Sequence, residues 1–344
     1  MGQVAVITGG SAGVGRAAAR AFAAKGFSVG LVARGAERLE QARAELEGLG
    51  ARVHTEVADV ADAEALGRAA DAIEAALGPI TVWVNNAMAT VYGAISDLEP
   101  AELRRVTEVT YLGAANGTLC ALKRMRSGAI VQVSSVLAWR AAPVQGAYCG
   151  AKFALRGFTE SLRSELIHDR SPIHLTMVHL PGINTPQFDW ARNKTGREAK
   201  VSGPYQPEVA ADAIVFAATH KRRDMFVGSA TLPTIVAARL APGTMDRVLA
   251  RQGYSAQLGD QAAVPTAGNL FEPAPGGGQA ARGRFDAEAK SRRDIYTSRQ
   301  GGAVAAGVLL LGAVGITALA TSPAFVGPAL LARAVLRGAS RRLG

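Results

Sequence analysis

Tyr148 and Lys152 stand four residues apart in the stretch "GAYCGAKFAL". In a helix that spacing sets a phenol and an ammonium one turn apart on the same face. A phenol titrates at about pH 10 and exchanges protons poorly at neutral pH. A neighbouring ammonium favours the phenolate and lowers that value. Such a pair suits moving a proton to or from a reacting oxygen at neutral pH. Ser135 ends the strand pattern "GAIVQVSS". There its hydroxyl can hydrogen-bond and polarise a substrate oxygen, since open α/β sheets place ligands at the C-terminal ends of their strands. A Tyr-x3-Lys pair alone is common on helix surfaces, so its meaning depends on the elements around it.

Those elements begin with "TGGSAGVG", Thr8 to Gly15, after a strand pattern and at the opening of a helix. Gly9, Gly13 and Gly15 permit close backbone approach, with Thr8, Ser11 and Val14 between and beside them. The unpaired N–H groups of a helix start suit a pyrophosphate. A dinucleotide site for NAD usually carries an acid at the end of its second strand. Here "GLVARG" supplies Arg34 instead, a guanidinium able to pair with a 2′-phosphate, which points to NADP(H) over NAD(H).

Along the first 230 residues, β-branched runs alternate with longer Ala/Leu/Glu-rich patterns. "QVAVIT", "FSVGLVA", "ARVHTEV", "ITVWVNN", "GAIVQVSS", "IHLTMVHL" and "DMFVG" predict strands, and helices are expected at 13–26, 35–50, 62–77, 99–126 and 147–169. Near-continuous apolar strands with helical crossovers imply a doubly wound α/β fold with a parallel sheet covered on both faces. The domain expectation is 1–230 for this unit, 231–300 for an extension with a Pro/Gly-rich linker, and 301–344 for an apolar helix and basic tail. The run 303–321 carries no charge and is long enough to span or lie on a membrane; the competing reading is a buried or dimer-interface helix.

Composition narrows the function further. Of 344 residues, 49% are hydrophobic, enough for a large core, and the net charge of +10 raises the question of nucleic acid. Ten Lys/Arg against three Asp/Glu fall in 281–344, so most of the excess is in the tail, and no nucleic-acid motif accompanies it. Two distant cysteines, Cys120 and Cys149, give no disulfide framework. The start "MGQVAVITGG" lacks a signal-peptide pattern, and a reduced, cytoplasmic setting is expected. The five histidines show no ligand spacing, so no metal is expected, and His179 reads as a packed strand residue.

"TGGSAGVG", "NNA" at 85–87, "VSSV" at 133–136, "YCGAK" at 148–152 and "PGINTP" at 181–186 occur in one order. Together they resemble the short-chain dehydrogenase/reductase family over about residues 1–230. The resemblance implies a Rossmann fold and hydride transfer between NADP(H) and an alcohol or carbonyl substrate. It makes Tyr148 the general acid/base, selects Ser135 over Ser134 by its thirteen-residue spacing, and has Lys152 tune the tyrosine and hold the nicotinamide ribose. It puts Asp59 and Val60 beside the adenine, has Asn85 and Ala87 line the cofactor cleft and stabilise the central strand, and puts Pro181, Gly182, Ile183 and Thr185 by the nicotinamide and diphosphate. It also implies a dimer or tetramer through the 99–126 and 147–169 helices. One position departs: Thr110 stands where the family carries an asparagine that holds a relay water. A hydroxyl has one donor where an amide has two. Thr110 motivates a rival expectation, a membrane-associated NADP(H)-binding module with weak or no catalysis.

Overall fold

All five residues of β1 (Val4–Thr8) are buried, so the strand has no solvent face and must lie within a sheet covered on both sides. The structure, a computed structural model, describes residues 2–264, 266–274 and 281–298. After β1 come α1 (Gly13–Ala23), β2 (Ser28–Ala33), α2 (Ala36–Gly48), β3 (Val53–Val57), α3 (Ala63–Leu77) and β4 (Ile80–Asn85). The chain continues with β5 (Val91–Tyr92), α4 (Pro100–Thr107), α5 (Gly113–Arg124), β6 (Gly128–Ser135), α6 (Gly146–His168) and β7 (Ile173–Leu180). Then follow α7 (Gln187–Trp190), β8 (Arg192–Asn193), β9 (Arg197–Ala199), α8 (Pro207–Thr219) and β10 (Asp224–Val227). The extension holds α9 (Thr231–Leu240), α10 (Pro242–Gln257), β11 (Leu258–Ala262) and β12 (Ile295–Thr297).

The large sheet has the order β12-β10-β7-β6-β4-β1-β2-β3 and is parallel except for β12. The chain builds outward from β1 to β3, then returns to lay β4 on the other side of β1. That reversal opens a crevice at the C-terminal ends of β1 and β4, the standard ligand position in such sheets. Two apolar clusters cover the faces, one around Phe22, Leu39 and Ile214, the other around Trp83, Leu66 and Ile73. The doubly wound architecture agrees with the alternation of patterns in the sequence.

The single helix expected over 99–126 is interrupted. Pro100 opens α4 behind a capping box formed by Glu99 and Glu102. Between α4 and α5 one turn, Glu108–Leu112, is wound as a π-helix, a form that recurs at functional sites.

The extension differs from the linker expected for it. α10 runs into β11, which pairs antiparallel with β9, and β12 adds to the edge of β10. Leu270 and Ala281 are fully buried. Pro- and Gly-rich composition left these isolated buried residues without a periodic signal. The apolar run 303–321 lies outside the described residues. No helix among the described residues is long and apolar enough to cross a membrane.

Candidate active site

The floor of the crevice is the turn after β1. Thr8 donates its hydroxyl to the Val84 carbonyl at 3.3 Å and accepts from the backbone N–H of Asn86 (3.0 Å) and Ala87 (3.2 Å). It ties the first loop to the end of β4. Gly9 has φ +66° and lies so close to Ala87 that a Cβ would sit 2.9 Å from the Ala87 Cα. A Cβ on Gly15 would stand 2.2 Å from the Gly9 carbonyl oxygen. Neither position accepts a side chain without backbone movement.

A cavity of about 620 Å³ runs along this crevice. Gly9, Ser11, Gly13, Val14 and Arg34 line one end, with Asp59, Val60 and Ala87 beyond them. Pro181, Gly182, Ile183 and Thr185 form the opposite wall, and Ser135, Tyr148 and Lys152 close the far end. Thr8, Gly15, Asn85 and Thr110, also expected at the site, do not line it. Thr8 and Gly15 act from behind the loop, through the contacts just given.

Asn85 is corrected by its direction. Its amide faces the core, accepting from Trp83 Nε1 at 2.8 Å and donating to Thr118 Oγ1 at 3.0 Å. Asn86, one residue on and therefore on the other face, lines the cavity and donates to the carbonyls of Thr8 and Gly9 at 3.1 and 3.2 Å. β4 is apolar along both faces, so the sequence shows no polar alternation that separates the two.

Thr110 is fully buried, and its hydroxyl is used in both directions by Ala89, accepting from its N–H and donating to its carbonyl, each at 2.9 Å. The one hydroxyl proton is therefore committed to backbone, so the side chain does not offer the free donor expected of a water holder. Asn116 likewise turns to backbone, donating to the Val60 carbonyl at 3.0 Å.

The three reacting candidates do converge. Tyr148 and Ser135 lie close enough to influence each other, and Ser135 Oγ accepts from the Leu137 N–H at 3.1 Å and donates to the Leu180 carbonyl at 3.4 Å. Burial holds the Tyr148 phenol above its ordinary value, the nearby Cys149 thiol adds to the rise, and Ser135 opposes it. Lys152 lies 5.6 Å from the centre of the Tyr148 ring and donates to the Val133 carbonyl at 2.7 Å. Burial alone lowers its amine to about 7. Beyond Tyr148 the cavity is bounded by Tyr92, Leu137, Phe188 and Val201, with Gln145 and Gln257 joined at 2.6 Å.

The donor set fits a nicotinamide dinucleotide on two structural grounds. The glycine cradle leaves backbone exposed to the cavity at a helix start. Thr90 Oγ1 and Ser134 Oγ are buried, line the cavity and have no hydrogen-bond partner among the described residues. Arg34 is less simply placed. Its Nη1 donates to the carbonyls of Phe271 (2.7 Å) and Leu270 (3.3 Å), and its Nη2 to that of Asn269 (2.6 Å). Burial and the neighbouring Arg105 lower its pKa. Arg38, which the sequence reading did not single out, lines the same end and donates to the Ala274 carbonyl at 2.6 Å.

His179 stays out of the cavity. It accepts from Trp139 Nε1 at Nδ1 and meets Asp224 through Nε2, both at 3.1 Å, so it is a satisfied core residue.

The family model described as short chain dehydrogenase matches residues 3–195. The chain is 34% identical to the uncharacterized oxidoreductase YxnA of Bacillus subtilis over 76% of each chain. It is also 34% identical to the putative oxidoreductase SadH of Mycobacterium tuberculosis, over 72% of this chain and 94% of that one. Among solved structures, the fold is similar to an alcohol dehydrogenase of the archaeon Thermococcus sibiricus, complexed with 5-hydroxy-NADP. The TM-score is 0.58, with 24% identity over 66% of this chain and 96% of that chain.

Proposed function

The chain belongs to the short-chain dehydrogenase/reductase family, and from that premise we propose an NADP(H)-dependent oxidoreductase acting on an alcohol or carbonyl with a lipophilic body. The observation that carries the reading is the shared cavity: Ser135, Tyr148 and Lys152 face the same space as the glycine loop. When bound, the nicotinamide gives or takes a hydride. Tyr148 supplies the proton to the substrate oxygen in reduction and removes it in oxidation. Ser135, which faces the same cavity as the phenol, would orient that oxygen. Lys152 stands beneath with an amine of pKa about 7, poised to exchange a proton at neutral pH, and would also hold the nicotinamide ribose. Gly9, Ser11, Gly13 and Val14 would hold the diphosphate, together with Thr185. Asp59 and Val60 would flank the adenine, and Arg34 supports the 2′-phosphate reading. The lining of Tyr92, Leu137, Phe188 and Val201 favours an apolar substrate body.

The test is NADPH oxidation by the purified protein over a panel of aldehydes and ketones, with Tyr148→Phe beside it. Turnover unaffected by Tyr148→Phe overturns the assignment. A second reading, an NADP(H)-binding module with little turnover, draws on Thr110, whose proton is spent on Ala89. Tight NADPH binding without turnover, restored by Thr110→Asn, would favour it.

Two expectations of assembly belong with this proposal. Leu119 on α5 and Phe153 on α6 are exposed apolar residues on the two helices expected to pair in a homo-oligomer. Sedimentation at varied concentration tests that. The uncharged run 303–321 supports membrane association, tested by pelleting of the full chain with vesicles.

A further inference from the structure

Four backbone carbonyls of the extension converge on the guanidiniums at the adenosine end of the cavity. Those of Asn269, Leu270 and Phe271 accept from Arg34, and that of Ala274 accepts from Arg38. Leu270 O also accepts from Arg105 Nε at 3.2 Å, while Arg105 pairs with Asp59. Cationic forks are thus gathered on neutral oxygens, the donor arrangement that suits a bound anion. Asn269, Pro273 and Ala274 line the same cavity as Arg34 and Arg38.

The segment is fastened at two further points. The Leu270 side chain is fully buried in the apolar cluster that contains Val60 and Val109, both of which also line the cavity. At the other end Asn269 N–H donates to the Trp190 carbonyl at 2.8 Å, and its amide donates to Gln187 Oε1 at 3.2 Å. Gly268, at φ +60°, lies so close to this turn that a Cβ would sit 2.3 Å from the Arg192 nitrogen. Trp190 in turn carries the Arg38 guanidinium 4.7 Å above its ring. One short strap therefore joins the adenosine end to α7, which borders the substrate end.

We infer that Asn269–Ala274 is a latch that competes with the cofactor's 2′-phosphate for Arg34 and Arg38. The inference rests on the NADP(H) reading above. A phosphate dianion adds an ion–ion attraction to the bonds it accepts from guanidinium and can take two of them in parallel, which a neutral carbonyl cannot. It exchanges favourably for the carbonyls and frees the strap. NAD(H) offers only a hydroxyl at that position and leaves the latch closed. The latch thereby selects the phosphorylated cofactor, and its release loosens the contacts of α7 with the strap.

The experiment is hydrogen–deuterium exchange on the full chain, followed in the peptide covering 268–274. Saturating adenosine 2′,5′-bisphosphate and NADPH each raise exchange there several-fold, and NADH at equal saturation does not. In a second arm, Leu270→Ser loosens the strap and tightens adenosine 2′,5′-bisphosphate binding about tenfold, the factor expected if the open site is a tenth populated. Unchanged or slowed exchange in 268–274 with NADPH bound makes the segment a fixed wall and overturns the latch, leaving the cofactor assignment standing. No binding of either phosphorylated ligand by calorimetry overturns both.

Discussion

Lys152 Nζ donates to the Val133 carbonyl at 2.7 Å while lying 5.6 Å from the centre of the Tyr148 ring. The lysine is thus seated on β6, the strand that ends in Ser135, and shares one helix with the phenol. One strand and one helix fix all three groups. The rigidity of that frame carries a stability cost, because the amine it holds is buried away from water and charge.

That cost has a defined pH dependence. The Lys152 amine titrates at about 7 in the folded protein, against an ordinary value of 10.5. Between those values the unfolded chain binds more protons than the native one, so stability rises with pH across the window. Below about pH 7 both states are protonated and the contribution is flat. Lys152→Met removes the penalty. The variant is expected to be more stable than the parent at pH 7, by up to a few kcal/mol, with turnover abolished. The difference shrinks toward pH 9.5. Urea melts at the two pH values check this, and equal differences at both would refute it. The range stops there because burial also raises the Tyr148 phenol, which favours the unfolded chain once free tyrosines ionise near pH 10.

Ser135 acts on the phenol as well as on the substrate. It is the influence that opposes the burial-driven rise at Tyr148. Ser135→Ala is expected to lower kcat by about 10²-fold, the scale of a lost oxyanion-side donor. It also moves the rising limb of the pH–rate profile for alcohol oxidation, where the phenol must lose its proton, to higher pH. A fall in kcat with an unmoved limb would limit the serine to substrate orientation.

Asn85 and Asn86 separate stability from binding. Asn85→Ala leaves the buried Trp83 N–H without its acceptor, at about 1–3 kcal/mol, while Thr118 keeps Gln132 as a donor. Its effect is expected in thermal melting, with the NADPH affinity of the folded fraction unchanged. Asn86→Ala removes the amide that holds the Thr8 and Gly9 carbonyls, and weakens NADPH binding more than it lowers the melting point. Calorimetry and melting on both variants check the crossed pattern, and the reverse pattern would sink it.

This pair also marks where the sequence becomes illegible. Motif order locates the loop, the Tyr148–Lys152 helix and the serine strand, because each depends on local spacing. Which of two adjacent asparagines faces the cavity depends on the strand's last residue, and a strand boundary is poorly marked in sequence. The break at Glu108–Leu112 lies inside an uninterrupted helical pattern and so leaves no periodic trace. The strap is harder still to read, since it binds Arg34 through main-chain carbonyls that any residue would supply.

The extension should therefore declare itself in stability rather than in motif. Phe285 packs edge-on against Phe188 at 5.4 Å, and Arg284 pairs with Asp189 and Glu198. Asp294 accepts from the Tyr205 hydroxyl at 3.0 Å, and its carbonyl accepts from the Gly228 N–H at 2.7 Å. β12 covers the edge of β10, which would otherwise present an unpaired row of backbone groups. Leu270 and Phe285 alone contribute about 1.5–3 kcal/mol each by burial. A chain ended at Val264 loses all of this, whereas a chain ended at Ser298 keeps it. The first is expected to melt several degrees below the second and to aggregate on heating. If the chain ended at Val264 melts with the chain ended at Ser298, these contacts contribute nothing net and the extension is dispensable to the fold.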